Sequence, residues 1–252
     1  MLDRISMTKL PVLLLTATIT PPMGVPVLAR TCPAQRLRDY KRALEFYRDH
    51  LGSTFSGIVF CENSKSDLTE LMTLTNPFGR IEFISFDGLD HPVSYGRGYG
   101  DYKLVDYAME HSNLLQQADV IWKCTGRYII TNIDQLAQTR PNVDVYVHLR
   151  NYPYRLCDLY MMSFTPSGYE RLIKGAYEYL RNDVVPGKHT DEEMSFRKLV
   201  DGWPKGGVRR RFKHTPLIDG IRGWDNSIYS KAWSPKTLLR RTLNVCIPSV
   251  WV

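Results

Sequence analysis

Four short segments concentrate side chains suited to chemistry. In IVFCENSKSDL (Ile58–Leu68) an apolar run delivers Glu62, Asn63, Ser64 and Asp67 to its carboxyl end. A carboxylate or amide there can hydrogen-bond a base or ribose, although a turn in which Asn63 and Ser64 bond their own backbone is the simpler account of that segment alone. In SYGRGYGD, Gly96, Gly98 and Gly100 stand immediately before a helical pattern. Glycine lets backbone amides approach a ligand and a helix start favours anions, with Arg97 adding charge. The GK[ST] of a phosphate-binding Walker loop is absent, and a flexible connector serves equally well. In ADVIWKCTGRY, Lys123, Thr125, Arg127 and Tyr128 crowd the end of a very apolar strand. Two cations at a sheet rim can bind phosphate, arginine in a bidentate way, and this reading is preferred to a snorkelling Lys123 and an Arg127 paired with a surface acid. In KHTDEEMSF, His189, Asp191, Glu192 and Glu193 cluster at a helix start. Acids there complement the helix dipole. The alternative is a carboxylate acting as general base on an acceptor hydroxyl. Adjacent helical side chains diverge by about 100°, so one of Glu192 and Glu193 is expected to face a cleft.

Other chemistries lack their residues. No histidine pair has HxxxH or HExxH spacing, so a zinc site is not expected, and neither a GxSxG elbow nor a Cys–His signature occurs. His91, His111 and His148 read as structural, and His214 as ordinary surface. Five widely spaced cysteines without a CxxC pair suit reduced thiols in a cytoplasm rather than a disulfide frame.

Positioning these segments requires a strand–helix alternation, which the hydrophobic periodicity supplies. Strands are predicted over Val12–Thr18, GIVFCENS, RIEFISF, ADVIWKCTG, VDVYVHL and DLYMMSF. Helices are predicted from Pro33 to the stop at Gly52, over Asp67–Leu74 with Ser66 as cap, from Tyr102 through SNLL, over Asn132–Gln138, through PSGYERLIKGAYEYLRND, and over DEEMSFRKLVDG with Thr190 as cap. Beyond Trp203, loops, one strand and a short terminal helix are expected. Such alternation predicts an α/β fold with a mostly parallel sheet covered on both faces. Ligands then sit at the carboxyl ends of the strands, where the loops after three of them converge.

At 252 residues the chain is long enough for one large domain and a sizeable core. Its composition, 43% hydrophobic and 23% charged, is that of a globular protein, and no apolar run reaches the ~18 residues of a membrane-spanning helix. The net charge of +7 is concentrated at one end: residues 205–252 carry ten Lys or Arg against Asp219 and Asp225. We therefore divide the chain into a main domain, 1–204, and a basic C-terminal segment, 205–252, that is expected to complete the site of that domain, to touch a membrane, or both. Cations beside aliphatic residues and Trp251 fit contact with an anionic bilayer better than RNA reading, which favours exposed aromatics for stacking. A solvated face without a partner is the plain alternative. The PVLLLTATI stretch imitates a short signal peptide, but TPPMGVP is a poor cleavage region and a buried strand is preferred.

Five motifs occurring in order resemble those of bacterial surface-polysaccharide glycosyltransferases, enzymes of capsule and O-antigen or lipopolysaccharide assembly with a GT-A-like, Rossmann-type sheet. They are LLTATI (Leu14–Ile19), RLRDYKRAL (Arg36–Leu44), YGRGYGD (Tyr95–Asp101), KCTGRY (Lys123–Tyr128) and DGIRG (Asp219–Gly223). IVFCENSKSD also looks like a variant of the family's acidic, Ser-containing loop. The resemblance implies a nucleotide-sugar donor, a glycan or lipid-linked glycan acceptor, no nucleic-acid partner, and work at the inner face of the cytoplasmic membrane as a peripheral protein. It puts Thr16, Glu62 and Asn63 near the nucleotide, Asp101 near the donor, and Lys123 and Arg127 near the diphosphate or sugar. Gly98, Thr125 and Tyr128 complete the expected donor site, and His189 and Arg222 are assigned to the acceptor. The acidic helix start of inverting members corresponds to Asp191–Glu193, with Glu192 or Glu193 as base. Such enzymes usually hold manganese or magnesium through Asp-x-Asp, but here TGR stands in that place, so metal-independent transfer is expected. The competing readings are a sugar-phosphate nucleotidyltransferase, whose glycine-rich segment TATITPPMGVP fits poorly, and a non-enzymatic protein binding nucleic acid or membrane through its basic end.

Overall fold

In the computed structural model the described residues are 9–74, 80–183, 191–229 and Thr242. Seven strands form the central sheet: β1 Val12–Ala17, β2 Gly57–Glu62, β3 Ile81–Ser85, β4 Ile121–Thr125, β5 Val145–Tyr146, β6 Met161–Phe164 and β7 Val208–Arg209. They lie in the order β7-β5-β6-β4-β1-β2-β3, all parallel except β6, which runs antiparallel to both β4 and β5. The predicted mostly parallel sheet flanked by helices is thus the fold of this chain. Register aligns the rim that matters: Thr16 pairs with both Cys61 and Thr125, and Ala17 with Glu62. The segments after β1, β2 and β4 therefore leave the sheet side by side.

Period-two alternation sends side chains of the inner strands to two cores. Leu13, Leu15, Ile58, Phe60 and Trp122 pack with Tyr40, Leu44 and Tyr47 of helix α1 (Pro33–Arg48). Leu14, Val59 and Ile121 pack on the other face with Leu104, Val105 and Ala108 of helix α2 (Gly96–His111). Helix α3 (Glu192–Asp201) closes that second side through Phe196 and Val200.

Several elements differ from the sequence expectation. The three glycines do not form a loop before α2; they are its first turns, with Gly96 as the first helical residue. The long helix expected over residues 166–183 is broken into Pro166–Gly168, a π turn over Tyr169–Ile173 and a 3-10 turn over Ala176–Leu180. The cause is Asp106 of α2, whose carboxylate accepts both the Tyr169 hydroxyl and the Gly175 amide at 2.9 Å. Gly175 takes φ +73°, a left-handed conformation that ends a helix and that glycine adopts without Cβ strain. The α3 cap is Asp191, whose Oδ1 accepts the Met194 amide at 3.0 Å, rather than Thr190, which lies outside the described residues. The helix after β2 shrinks to Thr69–Met72 and is not capped by Ser66; Asp67 instead accepts the Thr69 amide. VDVYVHL divides between β5 and a two-residue strand, Leu149–Arg150, paired with Leu156–Cys157. Among the described residues after Trp203 there are two short strands, β7 and Ile218–Asp219, the latter antiparallel to Ile129–Ile130. The expected terminal helix falls, but for Thr242, outside the described residues.

Candidate functional site

A cleft of about 490 Å³ opens at the carboxyl ends of β1, β2 and β4. Ten of the expected site residues line it: Thr16, Asn63, Gly98, Asp101, Thr125, Arg127, Tyr128, Asp191, Glu192 and Glu193. They come from three strand ends and the first turns of α2 and α3, segments up to 177 positions apart in the chain (Thr16 to Glu193). Asn63 ties two of these walls together, accepting from the Thr18 hydroxyl at 2.7 Å and donating to the Gly100 carbonyl at 3.4 Å.

Glu62 and Lys123 lie behind the wall. The Glu62 carboxylate is fully buried and accepts the amides of Ile19, Ser64 and Ser66 at 2.9–3.1 Å. Its charge thus holds the loops after β1 and β2 in shape. Lys123 occupies a core position on the α2 side of β4. It does not snorkel: its ammonium bonds the Asp101 carboxylate and, at 2.9 Å, the Leu159 carbonyl, and lies 5.2 Å from the centre of the Tyr102 ring. Arg222 stands outside the lining, stacked on Tyr229 and Trp224, both of which do line the cleft. His189 lies outside the described residues.

The cationic wall has two guanidinium groups. Arg127 is 7% exposed; it donates through Nη1 to the Ile221 carbonyl at 3.0 Å, and its Nε has no hydrogen-bond partner. Arg36, 6% exposed, donates to the carbonyls of Thr18 and Arg30 and to the Tyr40 hydroxyl. Among the described residues neither forms an ion pair with a carboxylate. Burial, and next to it the positive charge of Arg127, draws the Arg36 pKa below its ordinary value. Against burial, which lowers it, neighbouring Tyr128, Tyr40 and Asp39 raise the Arg127 pKa, and two buried guanidinium groups with no carboxylate paired to them suit an anion. The sequence reading missed Arg36, yet Arg36, Tyr40 and Leu44 share the four-residue spacing of the buried face of α1. An arginine on that stripe was the available signal.

The acidic wall resolves Glu192 from Glu193. Both line the cleft, against the expectation that one would, because side chains of a first helical turn lean towards the N-terminus and α3 directs that end at the cleft. Glu192 accepts Arg97 Nη2 at 2.8 Å and so lies in an ion pair. Glu193 stands 3.9 Å from Arg150, whose guanidinium bonds Asp158. A third of the Glu193 side chain is open to the cleft. Dense surroundings and the nearby Asp158, Asp191 and Glu192 carboxylates push its pKa up to about 8, with Arg150 opposing them.

An aromatic group completes the lining. Tyr128 and Tyr229 meet edge to face at 5.0 Å, Tyr160 stands 6.5 Å from each, and Trp224 is half-exposed. His91, also in the lining, is partly buried, its Nδ1 lacks a hydrogen-bond partner, and desolvation lowers its pKa.

The donor set does not suit a divalent metal. Hard cations take several oxygen ligands, chiefly carboxylates. The rim of β4 offers Thr125, Gly126 and Arg127, and the Asp101 carboxylate is held by an ammonium. Among the described residues no three His, Cys, Asp or Glu are grouped to hold an ion. Nor is any described helix long and apolar enough to cross a membrane.

The chain matches no protein-family model and no curated protein sequence. Its backbone is similar to that of several solved structures. A candidate nucleotide-diphospho-sugar transferase from Desulfovibrio desulfuricans G20 is 12% identical, with 95% of this chain and 97% of that one covered and a TM-score of 0.46. The glycosyltransferase GlyE of Streptococcus pneumoniae TIGR4 is 9% identical, with 81% and 45% covered and a TM-score of 0.48. The inositol-1-phosphate CTP transferase of T. maritima is 10% identical, with 84% and 89% covered and a TM-score of 0.46.

Proposed function

We propose that this protein is a glycosyltransferase that uses a nucleotide-sugar donor, inverts the anomeric centre and needs no metal. One observation carries the reading. A single cleft pairs two buried guanidinium groups, neither of which is ion-paired with a carboxylate among the described residues, with a carboxyl group whose pKa is raised to about 8. The first suits a leaving diphosphate; the second suits removal of a proton from an acceptor hydroxyl near neutral pH.

In this mechanism Arg36 and Arg127 bind the donor diphosphate, Arg127 through the unused edge of its guanidinium. Glu193 takes the proton of an acceptor hydroxyl. The acceptor oxygen bonds to the anomeric carbon as the bond from that carbon to the phosphate oxygen breaks. The electron pair leaves with the nucleoside diphosphate, whose charge the two guanidinium groups offset in place of a metal. Glu192 holds Arg97 beside the site. Asp101, paired with Lys123, is assigned to the donor sugar. The acceptor, a saccharide or lipid-linked saccharide of a surface polysaccharide, is assigned on the strength of the five ordered motifs.

Thermal shifts with a panel of nucleotide sugars, nucleoside diphosphates and nucleoside triphosphates test this reading. A nucleoside diphosphate or its sugar ester at 100 times its Kd should stabilise the fold by about 2.7 kcal/mol. Arg127→Met should abolish that shift; because it also removes the hydrogen bond to the Ile221 carbonyl, a cooperative melt of the unliganded variant is the control that the fold persists. Transfer should persist in excess EDTA. A shift with triphosphates alone, or activity lost to EDTA and restored by manganese, refutes the proposal.

A further inference from the structure

The cleft carries more aromatic surface than a diphosphate and a general base require. Tyr128, Tyr160, Trp224 and Tyr229 all line it, and strand register sets the order along its rim. Asn63 leaves β2 and Thr18 leaves β1, where the Thr18 carbonyl accepts Arg36 Nε at 2.6 Å. Arg127 and Tyr128 leave the neighbouring strand β4. Because β6 runs antiparallel to β4, Tyr160 comes level with Thr125, whose amide donates to the Tyr160 carbonyl at 2.8 Å. The Tyr160 hydroxyl donates to Asp158 at 3.3 Å, Asp158 binds Arg150, and Arg150 stands 3.9 Å from Glu193. Along the rim the two guanidinium groups come first, the aromatic rings next and Glu193 last.

The outer part of this aromatic group belongs to residues 220–229, a hairpin closed by the Arg222 amide on the Ser227 carbonyl at 2.8 Å and the Tyr229 amide on the Gly220 carbonyl at 3.0 Å. Two further attachments fix its position: Arg127 donates to the Ile221 carbonyl at 3.0 Å, and the Ala29 and Arg30 amides donate to the Gly223 carbonyl at 2.9 Å. A Cβ on Gly223 would lie 2.9 Å from Arg127 Nη2, so the hairpin passes close against that guanidinium. Trp224 follows directly and is half-exposed at the mouth of the cleft. Arg222 braces Trp224 and Tyr229 from outside the lining, 5.8 and 4.9 Å from their ring centres.

A pyranose ring presents C–H groups on its face and hydroxyls round its edge. Setting that face on an aromatic ring removes apolar surface from water and places C–H groups on the negative π face, while the hydroxyls stay free for polar partners. A nucleobase stacks as readily, but Thr16 and Asn63, assigned to the nucleotide, lie on the far side of the guanidinium groups. The donor sugar is joined to the diphosphate and so sits against those groups. The rings reach further, towards Glu193 at one end and solvent at Trp224 at the other.

We propose that Trp224 and Tyr229 are a stacking platform for a pyranose ring of the acceptor, which makes that acceptor a glycoside with an unhindered C–H face. The inference rests on the transferase reading of the cleft only in calling this saccharide the acceptor; the platform binds without turnover.

The full-length chain, Trp224→Phe and Trp224→Ala are compared by saturation-transfer NMR titration with the methyl glycosides of galactose, glucose, mannose and rhamnose. Galactitol, which has the hydroxyls but no rigid face, is the control, and thermal shifts with nucleoside diphosphates are read in parallel. Trp224 is half-exposed, and matching unliganded melts show that the variants fold. At least one pyranoside should bind, with saturation concentrated on the hydrogens of one ring face. Trp224→Ala should weaken it about tenfold and Trp224→Phe far less, with the nucleotide shift equal in all three proteins. Failure of every pyranoside to bind, equal binding to Trp224→Ala, or galactitol binding as tightly as the pyranosides overturns the inference. So does a loss confined to the nucleotide shift, which makes Trp224 a nucleobase platform. Trp224-dependent pyranoside binding without a shift from any nucleotide refutes the transferase reading and keeps the platform.

Discussion

Glu193→Gln removes an acidic side chain of the cleft whose proton affinity is set for chemistry near neutral pH. With a pKa of about 8, the unliganded protein holds only about 3% of Glu193 as carboxylate at pH 6.5 and about 90% at pH 9. The acid limb of kcat/KM should therefore drop about thirtyfold over that interval. Glu193→Gln should cost about 10²–10⁴-fold in kcat, the usual contribution of a positioned base, and should flatten the limb. Its neighbours supply a signed control. Asp158 raises the Glu193 pKa and Arg150 lowers it. Asp158→Asn should thus shift the limb to lower pH, and Arg150→Met to higher pH. The assay is initial-rate transfer between pH 5.5 and 9.5, with nucleotide binding followed in parallel to confirm that the donor site survives. A limb near the ordinary glutamate value of 4.5, or one unmoved by either neighbour, refutes the assignment. The same group links pH to folding: its raised pKa makes the native state bind the extra proton between about 4.5 and 8. Its stabilising contribution is full below 4.5 and is lost as pH rises through 8.

Asp101→Asn leaves the Lys123 ammonium buried without its carboxylate and should destabilise the fold by about 3 kcal/mol, read as a lower denaturant midpoint. Asp101→Asn/Lys123→Met should recover most of that loss; if the double variant also regains full transfer, Asp101 has no role at the donor. Gly98→Ala introduces a Cβ 2.8 Å from the Cβ of Glu192, so α2 and α3 must separate. Overpacking of this kind costs about 1–3 kcal/mol, and the displaced Arg97–Glu192 pair should lower kcat more than it alters nucleotide affinity.

The amino-acid sequence alone determined the strand and helix alternation, the parallel sheet and the rim at which polar residues gather. These follow from hydrophobic periodicity, which depends only on residues near one another in the chain, as in VLLLTA of β1 and IWKCT of β4. It also supplied Arg127 and the acidic start of α3. What each charge does was left to tertiary packing, because a side chain's partner is set by elements distant in sequence. Lys123 and Glu62 read as rim ligands, yet one neutralises Asp101 from the core and the other ties down two loops. Arg36 has no role in the sequence beyond opening the RLRDYKRAL motif, yet α1 brings it into the cleft beside Arg127. The long helix after β6 failed for the same reason: Asp106, more than sixty residues away, captures Gly175 and breaks a helix that local propensity favours. Glu192 and Glu193, adjacent and chemically alike, were separable only once Arg97 had engaged one and Asp158 stood beside the other.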